Sequence, residues 1–149
     1  MKPNDLPLPP LSERLLALAA FLPVFEDPKF VFGEWVEFRD EKSGLMQMPF
    51  FDFSEGGRAF YHMAYDYGWV KKGFDWGEWK FTPEAKSLRD NPECLSRATA
   101  DQLASLLTVL IRQDRFCEGE LECAYASGLI TSICRRAAGL LSETDGGKE

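Results

Sequence analysis

Thr99 to Gly119 reads TADQLASLLTVLIRQDRFCEG, and this stretch decides the fold. Thr99 and Gln102 have the spacing of a capping box, in which a hydroxyl and a side-chain amide satisfy backbone donors left unpaired at a helix start. Leu103, Leu106, Leu107, Leu110 and Ile111 then recur at the three- and four-residue intervals of one helical face, the clearest such stripe in the chain.

Towards the C-terminus the charged run Arg112 to Glu118 gives way to Leu121, Ala124 and Tyr125, which predict a helix ending near Gly128. Ile130, Ile133, Ala137, Leu140 and Leu141 predict a last one, and polar Ser142 to Glu149 is expected as a disordered tail. Towards the N-terminus, Thr82-Pro83 is a cap and first-turn pair, opening a short helix that Asn91-Pro92 closes. Further back, Ser54 opens a helix with Ala59, Phe60, Met63, Ala64 and Tyr67 on one face, stopping before Gly68, with Trp69 and Val70 folding back on it.

Two β-branched and aromatic runs, Phe30 to Phe38 and Leu45 to Phe53, flank the polar turn Arg39 to Gly44 and predict a β-hairpin. Pro49 limits the second run to an edge strand. Leu11, Leu15, Leu18, Leu22 and Phe25 make the stripe of an amphipathic N-terminal helix with Ser12 as its cap; Pro23 and the shortness of the run argue against a signal or a membrane span. Met1 to Pro10 carries four prolines and reads as an irregular arm. The class is therefore α+β, predominantly α: an N-terminal helix, a β-hairpin, then about five helices packed around one core. The expected organisation is a Pro-rich arm over 1–11, a single globular domain over 12–141 and the tail over 142–149.

A length of 149 residues suits one domain, and 45% hydrophobic with 13% aromatic residues supplies its core. The net charge of −7 argues against nucleic acid and acidic membranes as partners. Cys94, Cys117, Cys123 and Cys134 form no C-x-x-C pair and the one histidine, His62, is remote from them, so no zinc site and no cofactor is expected. A cytoplasmic, reducing setting follows, with the thiols as small buried hydrophobes. Phe30-Val31-Phe32-Gly33-Glu34-Trp35 and Phe74-Asp75-Trp76-Gly77-Glu78-Trp79 share the pattern F-x-aromatic-G-E-W, while their surroundings diverge too far for a duplicated domain.

Phe32 to Trp35, Phe74 to Trp79 and above all Arg112 to Gly119, RQDRFCEG, with Gly128 closing the next helix, resemble a family of small bacterial proteins known only as a domain of unknown function, number 6508. The resemblance spans the first helix to Leu141 and implies a discrete domain, with no catalytic or binding roles to carry over.

Four groups could carry chemistry. Arg112, Asp114, Arg115 and Glu118 could clamp an anion, with Glu118 or Asp114 as acid or base, or could form an ion network fixing a helix corner. Cys117 inside that cluster could be activated by its arginines, though Glu118 beside it opposes this. His62 and Asp66, four apart, could form an oriented imidazole or an exposed pair. Trp35, Trp69, Trp76 and Trp79, with Phe74 and the acids Glu34, Asp75 and Glu78 among them, could build a cage for a cation or fill the core. The leading expectation is a non-catalytic interaction or ligand-binding module in which Trp76, Trp79, Asp75 and Trp35 meet Arg112 and Arg115. The alternatives are a small enzyme acting on an anionic substrate, and a subunit binding a basic protein.

Overall fold

The computed structural model describes residues 7–37, 40–45 and 48–146. In chain order these form α1 (Leu11–Ala19), α2 (Leu22–Glu26), β1 (Gly33–Val36), β2 (Phe50–Phe53), α3 (Glu55–Asp66), α4 (Trp76–Trp79), α5 (Pro83–Asp90), α6 (Pro92–Leu95), α7 (Ala100–Asp114), α8 (Glu120–Ala126) and α9 (Leu129–Gly146). The α+β class with helices dominant is what the sequence predicts.

α7 is the centre. Every residue from Leu103 to Ile111 is buried, so the helix is enclosed on all sides rather than along one stripe. Ser105 and Thr108 fall inside because each has a partner. Thr108 Oγ1 donates to Ala104 O (2.7 Å) and accepts from Lys71 N (2.9 Å), and Ser105 Oγ accepts from Lys71 Nζ (3.1 Å). The expected capping box is formed, Thr99 accepting from Gln102 N while Gln102 bonds back to Thr99 N.

The N-terminal helix is two helices, because Pro23 cannot continue α1 and instead sits in the first turn of α2. Ser12 is not its cap: α1 starts two residues earlier than that cap would place it, after Pro10, and no side chain caps it. Leu15, Leu18 and Phe25 are buried as the stripe requires, whereas Leu11 is exposed. α1 packs along α9, which also receives α2, α6, α7 and α8. Phe25 gathers Phe21, Phe30, Phe32, Phe60 and Tyr125 around it, with ring centroids 5.2 to 6.1 Å from its own.

Ser54 caps α3 by accepting from Gly57 N, and Gly68, with φ +73°, ends it. Trp69 then turns back, its N–H donating to Ala64 O (2.8 Å), and is fully buried. Thr82 caps α5 and Asn91 ends it, but Asn91 also caps the short α6, which the sequence pattern does not signal. α9 runs on to Gly146, past Leu141, so the tail expected from Ser142 is helical as far as it is described. Residues 1–6 of the arm, 38–39 and 46–47 of the hairpin, and 147–149 of the tail lie outside the described residues.

The hairpin forms with shorter strands than the two apolar runs, and β2 begins immediately after Pro49. Gly33 pairs with Phe53, Glu34 with Asp52, Trp35 with Phe51 and Val36 with Phe50. Ser54 N donates to Phe32 O (3.0 Å), which fixes the alternation. Backbone groups of Glu34 and Val36 point to β2, and those of Gly33 and Trp35 point away.

Candidate functional site

Asp75 caps α4 by accepting from Glu78 N (3.1 Å), so its carboxylate has a local structural task. Trp76 and Trp79 then leave the helical turn in different directions. Trp79 packs against the core beside Phe74 (5.8 Å), and its indole N–H donates to Glu84 Oε1 (2.9 Å). The other Glu84 oxygen accepts from Gln102 Nε2 (3.0 Å), and these two bonds hold the Glu84 carboxyl below its usual range, Gln102 contributing most. Trp79 thus fastens α4 to α5 and to the start of α7. Trp76 turns to the other end of α7, where its ring lies 6.1 Å from that of Phe116, with Lys80 Nζ 5.7 Å from the indole and 3.3 Å from Gln113 Oε1.

The Arg112 to Glu118 corner is not the ion network considered above. α7 ends at Asp114, so the helical spacing that would align Asp114, Arg115 and Glu118 does not persist. Asp114 Oδ1 instead accepts from Gly119 N and Leu121 N, both at 3.1 Å, and caps the start of α8 from outside it. Glu118 reaches to the hairpin and accepts from Phe51 N. Gly119 closes the turn with φ +99°, and the Trp35 ring lies where its β-carbon would be. Both carboxylates are therefore occupied by backbone donors.

Burial pushes the Asp114 carboxyl above its ordinary value, with the bonds from Leu121 and Gly119 opposing. A raised acid favours the folded state when protonated, so its contribution is fully present below the ordinary carboxylate range and is lost as pH rises through the folded value. Asp114→Asn keeps an acceptor and removes the titration. Its stability curve in denaturant should accordingly lack the wild-type rise on acidification from pH 7 to 4 that belongs to this group. Asp114→Ala removes both bonds and should cost about 1–2 kcal/mol at pH 7; a variant as stable as wild type would show that the cap contributes nothing.

The arginines are disposed differently. Among the described residues neither Arg112 nor Arg115 pairs with a carboxylate. Arg112 lies 6.0 Å from the ring centre of Tyr65, and Tyr65 is 5.2 Å from Tyr61 on α3. Burial, then the bond to Tyr65, pushes the Tyr61 phenol up to about 12, while the positive charge of exposed Arg115 pulls the other way. Phe116, next to Arg115, is 79% exposed and Trp35 is 49% exposed. The end of α7 therefore gathers Trp76, Phe116, Lys80 and the two arginines, with Tyr61 and Tyr65 alongside. Sequence reasoning missed Phe116 and the tyrosines, although the i,i+4 spacing of Tyr61 and Tyr65 was legible.

The remaining candidates fall elsewhere. Trp69 is core, and His62 and Asp66 are both exposed with no bond between them among the described residues. Cys134 is buried, its thiol pushed up to about 12 by burial, but Cys117 and Cys123 are exposed rather than the buried hydrophobes expected, because the turn and the outer face of α8 carry them. Among the described residues no group of three or more His, Cys, Asp or Glu side chains could hold a metal, and no helix is long and apolar enough to cross a membrane. Two clefts lie away from the corner. One of about 550 Å³ runs between Leu88, Leu95, Cys123 and Ser127; another of about 950 Å³ lies beneath Pro7 to Pro9, beside Arg14, Lys71 and Asp101.

A family model described as a family of unknown function (DUF6508) matches residues 10–143. No curated protein and no solved structure matches the chain.

Proposed function

The chain belongs to DUF6508, a family to which no function is assigned, and we propose from its own geometry that it is a non-catalytic binding module with an anionic ligand or partner. The surface we assign is the end of α7: Arg112 and Arg115, flanked by Trp76 and Phe116. One observation carries this reading. At a corner holding two acids and two bases, both acids bond to backbone donors while neither base has a carboxylate partner among the described residues.

Guanidinium groups at a corner that also carries the exposed Phe116 ring and the half-buried Trp76 ring are suited to a carboxylate or phosphate presented next to an apolar group. The same allocation supports binding over acid–base chemistry, since the carboxylates of Asp114 and Glu118 are committed to backbone donors of the fold. Trp79 and Asp75 drop out of the binding surface in this reading, because their polar atoms are spent on Glu84 and on the α4 cap.

Arg112→Glu combined with Arg115→Glu should abolish retention of the protein or small molecule that the wild-type chain holds when recovered at native level from its own host. Wild-type retention should itself weaken as added salt screens the charges. Circular dichroism should be unchanged, because no ion pair is broken. A retained species indifferent to both the charge reversal and the salt would sink the reading.

A further inference from the structure

We propose that the outer edge of β1 is a docking site for an extended, basic peptide segment that adds to the hairpin as a third strand. This goes beyond the module reading and uses none of its residues.

The two edges of the hairpin are treated differently. On β2, the outward N–H of Phe51 is taken by Glu118, and the outward carbonyl of Phe53 accepts from Arg58 (3.2 Å). That edge is closed by side chains from α3 and from the turn before α8. On β1, the outward groups are those of Gly33 and Trp35, and among the described residues nothing bonds to them. The strand that carries them lies at the surface, with Gly33 half-buried, Val31 61% and Trp35 49% exposed, and Glu34 and Glu37 exposed. A run of unpaired backbone donors and acceptors at a strand edge is the template used in strand addition, where the main chain supplies affinity and alternate side chains supply selectivity.

Charge selects the occupant. Glu34 and Asp52 are directly opposite one another on the outer face of the hairpin, and like charges in that position repel. Among the described residues only Arg58 answers them, 3.4 Å from Asp52. A third strand placing lysine or arginine beside Glu34 would complete an alternating row across the face. A second copy paired symmetrically about Glu34 would instead oppose two glutamates. On the inner face, the exposed part of the Trp35 ring offers an apolar neighbour to the next residue of the incoming strand.

The probe is a capped hexapeptide alternating valine and lysine, titrated into the whole chain and followed by amide resonances. Gly33 and Trp35 N–H should shift and gain protection from exchange. The same peptide N-methylated at alternate residues, which cannot donate to the edge, should not bind. Glu34→Lys should weaken the lysine peptide about fivefold and strengthen its glutamate counterpart about fivefold, the effect of reversing one cross-strand charge pair. The Arg112→Glu, Arg115→Glu variant should bind the lysine peptide as wild type does, so this test is separate from that of the module reading. Unchanged Gly33 and Trp35 amides, equal binding of the methylated peptide, an indifferent Glu34→Lys, or a dimer that buries this edge without peptide would each overturn the proposal.

Discussion

Trp69→Ala is expected to destabilise the domain by about 3–5 kcal/mol, the cost of emptying a large aromatic site in a core that cannot collapse onto it. Trp69 is fully buried, and it ties α1 to the end of α3. Its indole N–H donates to Arg14 O (3.1 Å), while Arg14 lies over the ring at 4.9 Å. The same guanidinium donates to Tyr67 O (2.7 Å) and Gly68 O (3.1 Å), satisfying carbonyls at the end of α3. Removing the indole therefore opens a cavity, takes from the Arg14 carbonyl the donor it has beyond its helix bond, and loosens the arginine that caps α3. Trp69→Phe separates these effects: it keeps most of the volume and loses the indole N–H, for about 1–2 kcal/mol. Denaturation midpoints at unchanged m value measure both. An alanine variant no less stable than the phenylalanine variant would show that packing at this site is not what holds α1 to α3.

Gly119→Ala should cost about 2–4 kcal/mol, from two sources that can be separated. The first is the backbone, whose φ of +99° disfavours any residue with a β-carbon. The second is Trp35, whose Cζ2 would stand 2.6 Å from that carbon. A double-mutant cycle with Trp35→Ala isolates the steric part: the ring is gone, so Gly119→Ala in that background should cost only the backbone strain. Full additivity in the cycle would show that Trp35 does not seat against the turn. The effect reaches further than stability, because Glu118 bonds to the hairpin one residue away; displacing the ring should also disturb the Phe51 amide.

The parts of the fold legible in sequence were those fixed by local chemistry. Ser54, Thr82 and Thr99 cap the helices they were expected to cap, since a hydroxyl at a helix start acts on donors two or three residues away whatever the rest of the chain does. The shared pattern F-x-aromatic-G-E-W shows where that reasoning stops. Its first copy places Gly33-Glu34-Trp35 in a strand, and its second places Trp76-Gly77-Glu78-Trp79 in a helical turn. The difference lies in the partner: β2 lies alongside the first copy, whereas Asp75 caps the second. The corner failed for the same reason. Arg112, Asp114, Arg115 and Glu118 suggested mutual ion pairing at helical spacing, but the helix stops at Asp114, and the donors that claim the acids come from Gly119, Leu121 and distant Phe51. Sequence spacing carries no information about donors brought in from a hairpin more than sixty residues upstream.

The packing of α1 along α9 also sets the order in which the domain can be completed during synthesis. About 110 residues separate Ala19 from Leu129. At ribosomal rates of about 5–20 residues per second, the apolar side of α1 waits roughly 5 to 20 s for the helix that covers it. Until then Leu15 and Leu18 belong to a nascent chain whose flank towards α9 stays open to whatever apolar surface it meets first.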